Sequence, residues 1–297
     1  MPELPEAETI RYQLATEIAG ATIARLELIQ PRTWRHHKSP RDLTDLVAGR
    51  RIISVGRRGK ALYLLLDGDR QSGADRQSGA DHQSGSDRSS TLILRLGMTG
   101  LVRLLPADAP LDKPAAILTL SDGRQVGFYD TRTFGALIAR PGHDIDNMPE
   151  FARYGPEPLS PDFTPDYLSK SLAGRTAKLE DVLMNQHVIA GIGKIYADEI
   201  CFRAGLRPGR RASGLTRPMC DRLYHAIREV LAEGIECRGS SAKDESYRDI
   251  YGLPGCFQDR LHVYQRTGKP CRSCGATIRR SPLPGGRGLH WCPSCQR

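Results

Sequence analysis

Pro2 stands directly after the initiator methionine, in Met1-Pro2-Glu3-Leu4-Pro5-Glu6. A small residue there favours removal of Met1, which turns the Pro2 nitrogen from an inert amide into a free secondary amine. Such an amine can attack the anomeric carbon of a sugar and form a Schiff base, a covalent route of catalysis. A free α-amino group titrates at roughly 7.7–8.0, against about 10.4 for lysine, so more of it is neutral at pH 7. A place at the positive end of a helix lowers that value further. Glu3, one residue on, is placed to donate or shuttle a proton. Glu6, one helical turn on, could hold the site together; read alone, it is equally a first-turn acid that complements the helix dipole. Away from the chain start, the whole stretch would read as a polar lead-in to a helix.

A second group of reactive residues lies at the other end. Cys271-x2-Cys274 and Cys292-x2-Cys295 are separated by seventeen residues. Two such knuckles bring four thiolates round one zinc ion in a closed tetrahedral site, with no position left for chemistry. The unit therefore reads as a structural staple. The intervening IRRSPLPGGRGLH adds a further reading, a hairpin that presents Arg279, Arg280 and Arg287 to phosphate. Arg287 sits between glycines, where a backbone can approach a ligand closely. Cys201, Cys220, Cys237 and Cys256 are scattered and read as buried or incidental thiols.

Elements must position these residues. Residues 3–19 read as an amphipathic helix, with Ala7, Ile10, Leu14 and Ile18 at helical spacing and Gly20 as its stop. Over 22–140 the runs IARLELI, RIISVG, ALYLLL, LILRL, AAILTL and ALIAR favour strands, with a turn at Ser121-Asp122-Gly123. That pattern predicts a sandwich or barrel. Within it, residues 67–91 carry the hexads DRQSGA, DRQSGA and DHQSGS, too polar to bury a core, and read as a disordered insertion between two strands. Beyond about residue 150 the pattern turns helical, with candidates at 164–172, 177–187, 194–204 and 216–235, a glycine-rich turn in HVIAGIG, and a polar loop over 238–262.

The chain has 297 residues, 39% of them hydrophobic, enough for two compact domains and an appendage. No apolar run of 18 residues predicts a membrane span, and the acidic start does not resemble a secretory signal. A cytosolic protein is expected, its thiols reduced. Forty-three basic residues against 34 acidic ones give a formal charge of +9 and a pI near 9.3, which suits an anionic partner such as nucleic acid.

The motifs MPELPEAETIR, RRGKALYLLL, LGMTG, DTRTFG and AGIGKIYADE, followed by the terminal cysteine unit, occur in an order that resembles the formamidopyrimidine-DNA glycosylase family, shared with endonuclease-eight-like enzymes. The resemblance covers nearly the whole chain, the 67–91 insertion excepted. It implies an α+β fold: an N-terminal helix and catalytic β-sandwich over 1–150, a helix-two-turn-helix DNA-binding domain with a lesion-recognition loop over 151–262, and a zinc finger over 263–297. It also implies a monomeric bifunctional glycosylase and abasic-site lyase of base excision repair. The partner would be duplex DNA with damaged bases and the cofactor one structural zinc ion, in the cytoplasm and on the nucleoid if the source is bacterial. By this resemblance Pro2 is the nucleophile, Glu3 the acid and Lys60 the lysine of β-elimination. Arg287 is the finger arginine of phosphate binding and δ-elimination. Met98, Arg132 and Phe134 look like the residues that fill the gap left by an everted base; read alone, Met98 and Phe134 would be core. Arg153 matches a basic DNA-contacting position, and the turn at 191–193 offers amides to phosphate.

Three places depart from the family pattern. Lys194 replaces the usual asparagine, Arg95 stands where a histidine usually precedes LGMTG, and Lys113-Pro114-Ala115 replaces a histidine-bearing segment. Basic character survives, so Lys113 and Lys194 remain candidates for contact with DNA. The long segment from Gly239 to Gln258, ahead of His262-Val263-Tyr264, favours oxidised purines (8-oxoguanine and formamidopyrimidines) as substrates. The alternatives are a relative that prefers oxidised pyrimidines and a non-catalytic protein that binds damaged DNA.

Overall fold

The computed structural model describes residues 2–68, 89–107, 109–241, 247–282 and 288–297. Helix α1 spans Leu4–Ile18 and buries Ala7, Ile10, Leu14 and Ile18 completely, the stripe its helical spacing predicts. Gly20, at φ 86°, takes the left-handed conformation that ends the run.

Eight strands follow: β1 (Ile23–Leu28), β2 (Ile52–Arg58), β3 (Ala61–Leu66), β4 (Ser90–Arg95), β5 (Leu101–Leu105), β6 (Ala116–Leu120), β7 (Gln125–Tyr129) and β8 (Ala136–Pro141). They form two antiparallel four-stranded sheets, β1-β6-β7-β5 and β2-β3-β4-β8. A short helix α2 (Pro40–Thr44) lies between β1 and β2. Leu62, Leu64, Leu92, Leu94 and Leu137 of one sheet join Leu26, Leu118, Val126 and Phe128 of the other in a single core, on which α1 also packs. The alternate residues Ile93 and Ile138 face outward yet are fully buried, because Met148 and Phe151 cover that face. Burial on both faces explains why β4 and β8 read as continuous apolar runs.

The sequence runs predict six strands. The two additional ones, β5 and β7, lie at the site end of the sandwich. Gly127 interrupts the apolar pattern of β7, and the Ser121-Asp122-Gly123 turn joins β6 to it. The predicted insertion ends earlier than expected. Ser90 and Thr91 are buried residues of β4, with Ser90 opposite Leu66, so the polar segment is shorter than 67–91. Its hexads over 69–88 lie outside the described residues.

The second half contains α3 (Pro165–Leu172), α4 (Leu179–Met184), α5 (Lys194–Arg203) and α6 (Arg217–Glu236). Helix α4 is shorter than its predicted span of 177–187. Asn185 leaves helical geometry, and the Gln186 amide donates to Met184 O and Ile192 O while its carbonyl accepts from Gly191 N–H. Strands β9 (Arg279–Pro282) and β10 (Gly288–Trp291) pair as an antiparallel ribbon at the cysteine unit. The two large cores exchange residues. Leu4 of α1 belongs to the helical core, while Tyr247 and Ile250, from beyond α6, belong to the sandwich core. Among the described residues no helix is long and apolar enough to cross a membrane.

Candidate active site

Pro2 and Glu3 are buried where the start of α1 meets the start of α5. The Glu3 carboxylate accepts the Ile195 N–H at 3.0 Å through Oε1, and its Oε2 has no partner among the described residues. Gly193 makes this approach possible, since a Cβ there would stand 2.3 Å from Glu3 Cδ. Burial pushes the Glu3 pKa up; Lys60 and the Ile195 amide pull it back without cancelling the rise. Lys60 experiences the converse. Burial lowers its pKa, while Glu3 and Glu6 oppose the fall.

Glu6 ties this corner together. Its Oε2 accepts from Glu3 N–H at 2.8 Å, and its Oε1 from Tyr196 Oη at 2.8 Å and Ser240 N–H at 2.7 Å. Burial, then the charge of Glu3, raises its pKa to about 7 against the donated hydrogen bonds. The Lys60 turn has its own anchor. Glu157 accepts from Arg57 at 2.6 Å, from Gly59 N–H at 2.6 Å and from Arg58 at 3.2 Å, so a carboxylate about a hundred residues away fixes RRGK. Glu157, Tyr196 and Ser240 are not visible as site residues in the sequence, because each acts only through a contact distant in the chain.

The LGMTG and DTRTFG loops lie side by side. Buried Asp130 joins them, accepting from Thr99 Oγ1 at 2.6 Å and Gly135 N–H at 2.5 Å. Arg35 donates to Phe134 O at 2.9 Å and to Gly135 O at 2.5 Å. The tips project: Met98 is 39% exposed and Phe134 50%, with the Arg132 guanidinium carbon 5.4 Å from the Phe134 ring centre. Neither apolar residue is core, the outcome that residue type alone would favour. Arg153 and Lys113 are exposed, Lys113 at φ 52°. Arg287 lies outside the described residues, as does 242–246 at the tip of the long loop. The rest of that loop is pinned, with Gln13 donating to Asp249 at 2.9 Å and accepting from Ile250 N–H.

Contacts at the start of α5 bear on two of the expected DNA-facing groups. Of the amides in the 191–193 turn, that of Gly191 is taken by Gln186, and beyond the turn the Ile195 N–H is taken by Glu3. Lys194, expected to reach DNA, instead brings Nζ to 2.6 Å from Glu180 and 2.5 Å from Asp198, two fully buried carboxylates. Asp198 also accepts the His290 ring nitrogen at 2.7 Å. Further along α5, Glu199 accepts the N–H groups of His262, Val263 and Tyr264 at 2.8–2.9 Å.

In the terminal unit, the Sγ atoms of Cys271, Cys274, Cys292 and Cys295 all lie within 4.8 Å of one another. Metal–thiolate bonds of about 2.3 Å in a tetrahedron need separations of just under 4 Å, and the contacts at 3.5 and 3.9 Å fit. The four cysteines can hold a metal ion.

Comparison with known proteins adds three kinds of match. The model of the formamidopyrimidine-DNA glycosylase N-terminal domain matches residues 1–137, and that of its H2TH domain residues 154–246. A curated formamidopyrimidine-DNA glycosylase of Heliobacterium modesticaldum is 41% identical, with both chains covered in full. The crystal structure of the MutM (Fpg) protein of Thermus thermophilus superposes with a TM-score of 0.82 at 40% identity, covering 99% of this chain and 98% of that one. A Lactococcus lactis Fpg mutant in complex with Fapy-dG-containing DNA gives 0.83 at 31% identity, with both chains covered in full.

Proposed function

The chain belongs to the formamidopyrimidine-DNA glycosylase family of DNA glycosylase/lyases, and on that premise we propose that it removes oxidised purines from duplex DNA through a Schiff base on Pro2. The observation that carries the reading is the Glu3 carboxyl, held by one α5 amide and free at Oε2. Its raised pKa keeps a proton on it at higher pH than an ordinary carboxyl would. Beside it, with Met1 removed, stands an amine more often neutral at pH 7 than that of an ordinary lysine. At pH 7 roughly a tenth of an α-amino group is neutral, against less than about 0.1% of an ordinary lysine. The Pro2 nitrogen attacks C1′ as the C1′–base bond breaks, with the Glu3 proton going to the departing base; the Glu3 carboxylate then takes the proton from the Pro2 nitrogen and returns it to O4′ as the C1′–O4′ bond opens, which leaves the iminium on Pro2. Lys60 then serves β-elimination, and Arg287 grips phosphate and assists δ-elimination.

The partner is DNA with a damaged base, as in the Lactococcus lactis complex. Met98, Arg132 and Phe134 fill the gap left by the everted nucleotide. Arg153 and Lys113, both exposed, face the phosphates. Zinc is the metal that four clustered thiolates select in a structural site. The protein works as a monomer on chromosomal DNA in the cytoplasm. Its units are the catalytic domain over 1–150, the DNA-binding domain over 151–262 and the finger over 263–297.

Single-turnover cleavage of duplexes bearing 8-oxoguanine, a formamidopyrimidine or an oxidised pyrimidine tests the reading. Faster release of the two purine lesions is expected. A preference for the pyrimidine would replace the substrate assignment, and binding without cleavage would replace catalysis by recognition alone.

A further inference from the structure

Lys194 occupies the first turn of α5, where its backbone neighbours hold Glu3, yet its side chain runs away from that site. Its ammonium is shared between Glu180 of α4 and Asp198 of α5, and only 15% of the side chain is exposed. Both carboxylates are fully buried, and each touches the same nitrogen at 2.5–2.6 Å. Removing the ammonium would leave two bare anions a few ångströms apart in a low dielectric, where one must take up a proton or the helices must separate. The Asp198 oxygen concerned has a second duty. It also accepts the His290 ring nitrogen at 2.7 Å and the His290 N–H at 3.3 Å, and His290 lies on β10 of the cysteine hairpin. Helix α5 thus bears Glu3 at its first amides and the hairpin on Asp198, with Lys194 as the charge that keeps Asp198 in place.

We propose that Lys194 is a positioning residue that sets the metal-bearing hairpin against the catalytic end of α5, and not a phosphate ligand. The proposal rests on the reading of the chain as a DNA glycosylase whose hairpin grips DNA. It explains how a lysine can stand where the family usually has asparagine. The cation answers a local need, two buried acids, and contributes no free charge to the DNA-facing surface.

A charge-balanced double variant separates the two roles. With both carboxyls ionised, the buried group carries two negative charges and one positive in the wild type, two negative in Lys194→Met, and one negative in Glu180→Gln/Lys194→Met. Burial and Asp198 raise the Glu180 pKa to about 7, so the comparison is made above that pH, where a proton does not stand in for the missing ammonium at no cost. Affinity and turnover are measured on an 8-oxoguanine duplex with zinc-loaded full-length protein. Lys194→Met should raise KM at least about tenfold, while kcat at saturating duplex falls less than about threefold. The double variant should recover wild-type KM within about threefold and keep the wild-type slope of log K against log salt. Were Lys194 a phosphate ligand, the double variant would stay as weak as Lys194→Met and lose about 0.9 from that slope; Glu180→Gln alone would free the cation and tighten binding. Either result overturns the proposal. If Lys194→Met fails to fold, the double variant decides alone, by folding and binding as wild type or by failing to. A wild-type protein that leaves the duplex uncut would instead overturn the glycosylase reading.

Discussion

Glu6 accepts three hydrogen bonds and yet has a pKa of about 7, so burial outweighs its donors. The unfolded chain returns it to about 4.5. Because the folded value is the higher, the native state binds more protons between those limits, and the stability from Glu6 is lost as pH rises through about 7. Its contribution to that loss is roughly 3 kcal/mol at most. Denaturant titrations at pH 5 and pH 7.5 should show the decline in the wild type and a weaker one in Glu6→Gln. An equal slope in both would assign the effect to other acids. At pH 5 Glu6→Gln should also be less stable by about 1–3 kcal/mol, since one acceptor of Glu3, Tyr196 or Ser240 is replaced by a donor, and the difference should narrow at pH 7.5, where the wild type has lost the contribution of Glu6. At this scale the four cysteines in two knuckles were legible as a cluster, and Pro2 and Glu3 were legible as candidates by position and type. Their partners were not. Glu157, Tyr196 and Asp130 act through contacts that no local pattern encodes, and Lys194 is an ordinary basic residue until Glu180 and Asp198 are seen around it.

The paired loops of LGMTG and DTRTFG form an element of their own. Asp130 ties the two together, Arg35 holds the second through its Phe134 and Gly135 carbonyls, and Phe134 projects from that tied base. If Phe134 fills the space left by an everted base, Phe134→Ala should lower kcat/KM on an 8-oxoguanine duplex at least about tenfold, since unstacking costs a few kcal/mol. On a single-stranded abasic site, where no stack is broken, the change should be under about threefold. Equal losses on both substrates would make Phe134 a general binding residue. Helix α1 was readable because four apolar residues keep helical spacing. Strands β5 and β7 were not, because LVRLL follows closely on a glycine turn and Gly127 breaks the alternation of QVGFY. Helix α4 stops early through the Gln186 side chain, a stop signal that its composition does not carry.

For the whole molecule, a formal charge of +9 and the proposed DNA partner imply binding that weakens steeply with salt. A titration from about 50 to 200 mM salt should lower affinity by orders of magnitude, and a flat response would contradict the proposed phosphate contacts. Removal of the metal should loosen the hairpin, which has few apolar residues of its own, and abolish specific binding while the sandwich stays folded. Near-ultraviolet and far-ultraviolet dichroism of chelated protein would separate these. Leu66 already pairs with Ser90 at the base of the β3–β4 connection, so replacing 69–88 by Asn-Gly, which leaves a five-residue hairpin loop between that pair, should leave the melting temperature within a few degrees. The order of the units was legible because each has its own period, alternating, helical or cysteine-spaced; the exchange of Leu4, Tyr247 and Ile250 between cores was not, since it depends on how the chain returns. The most direct test is borohydride trapping on an 8-oxoguanine duplex followed by peptide mapping of the adduct. The account predicts a covalent adduct on the Pro2 nitrogen, and none from protein whose N-terminus is blocked. An adduct on Lys60, or normal trapping by the blocked protein, would contradict it.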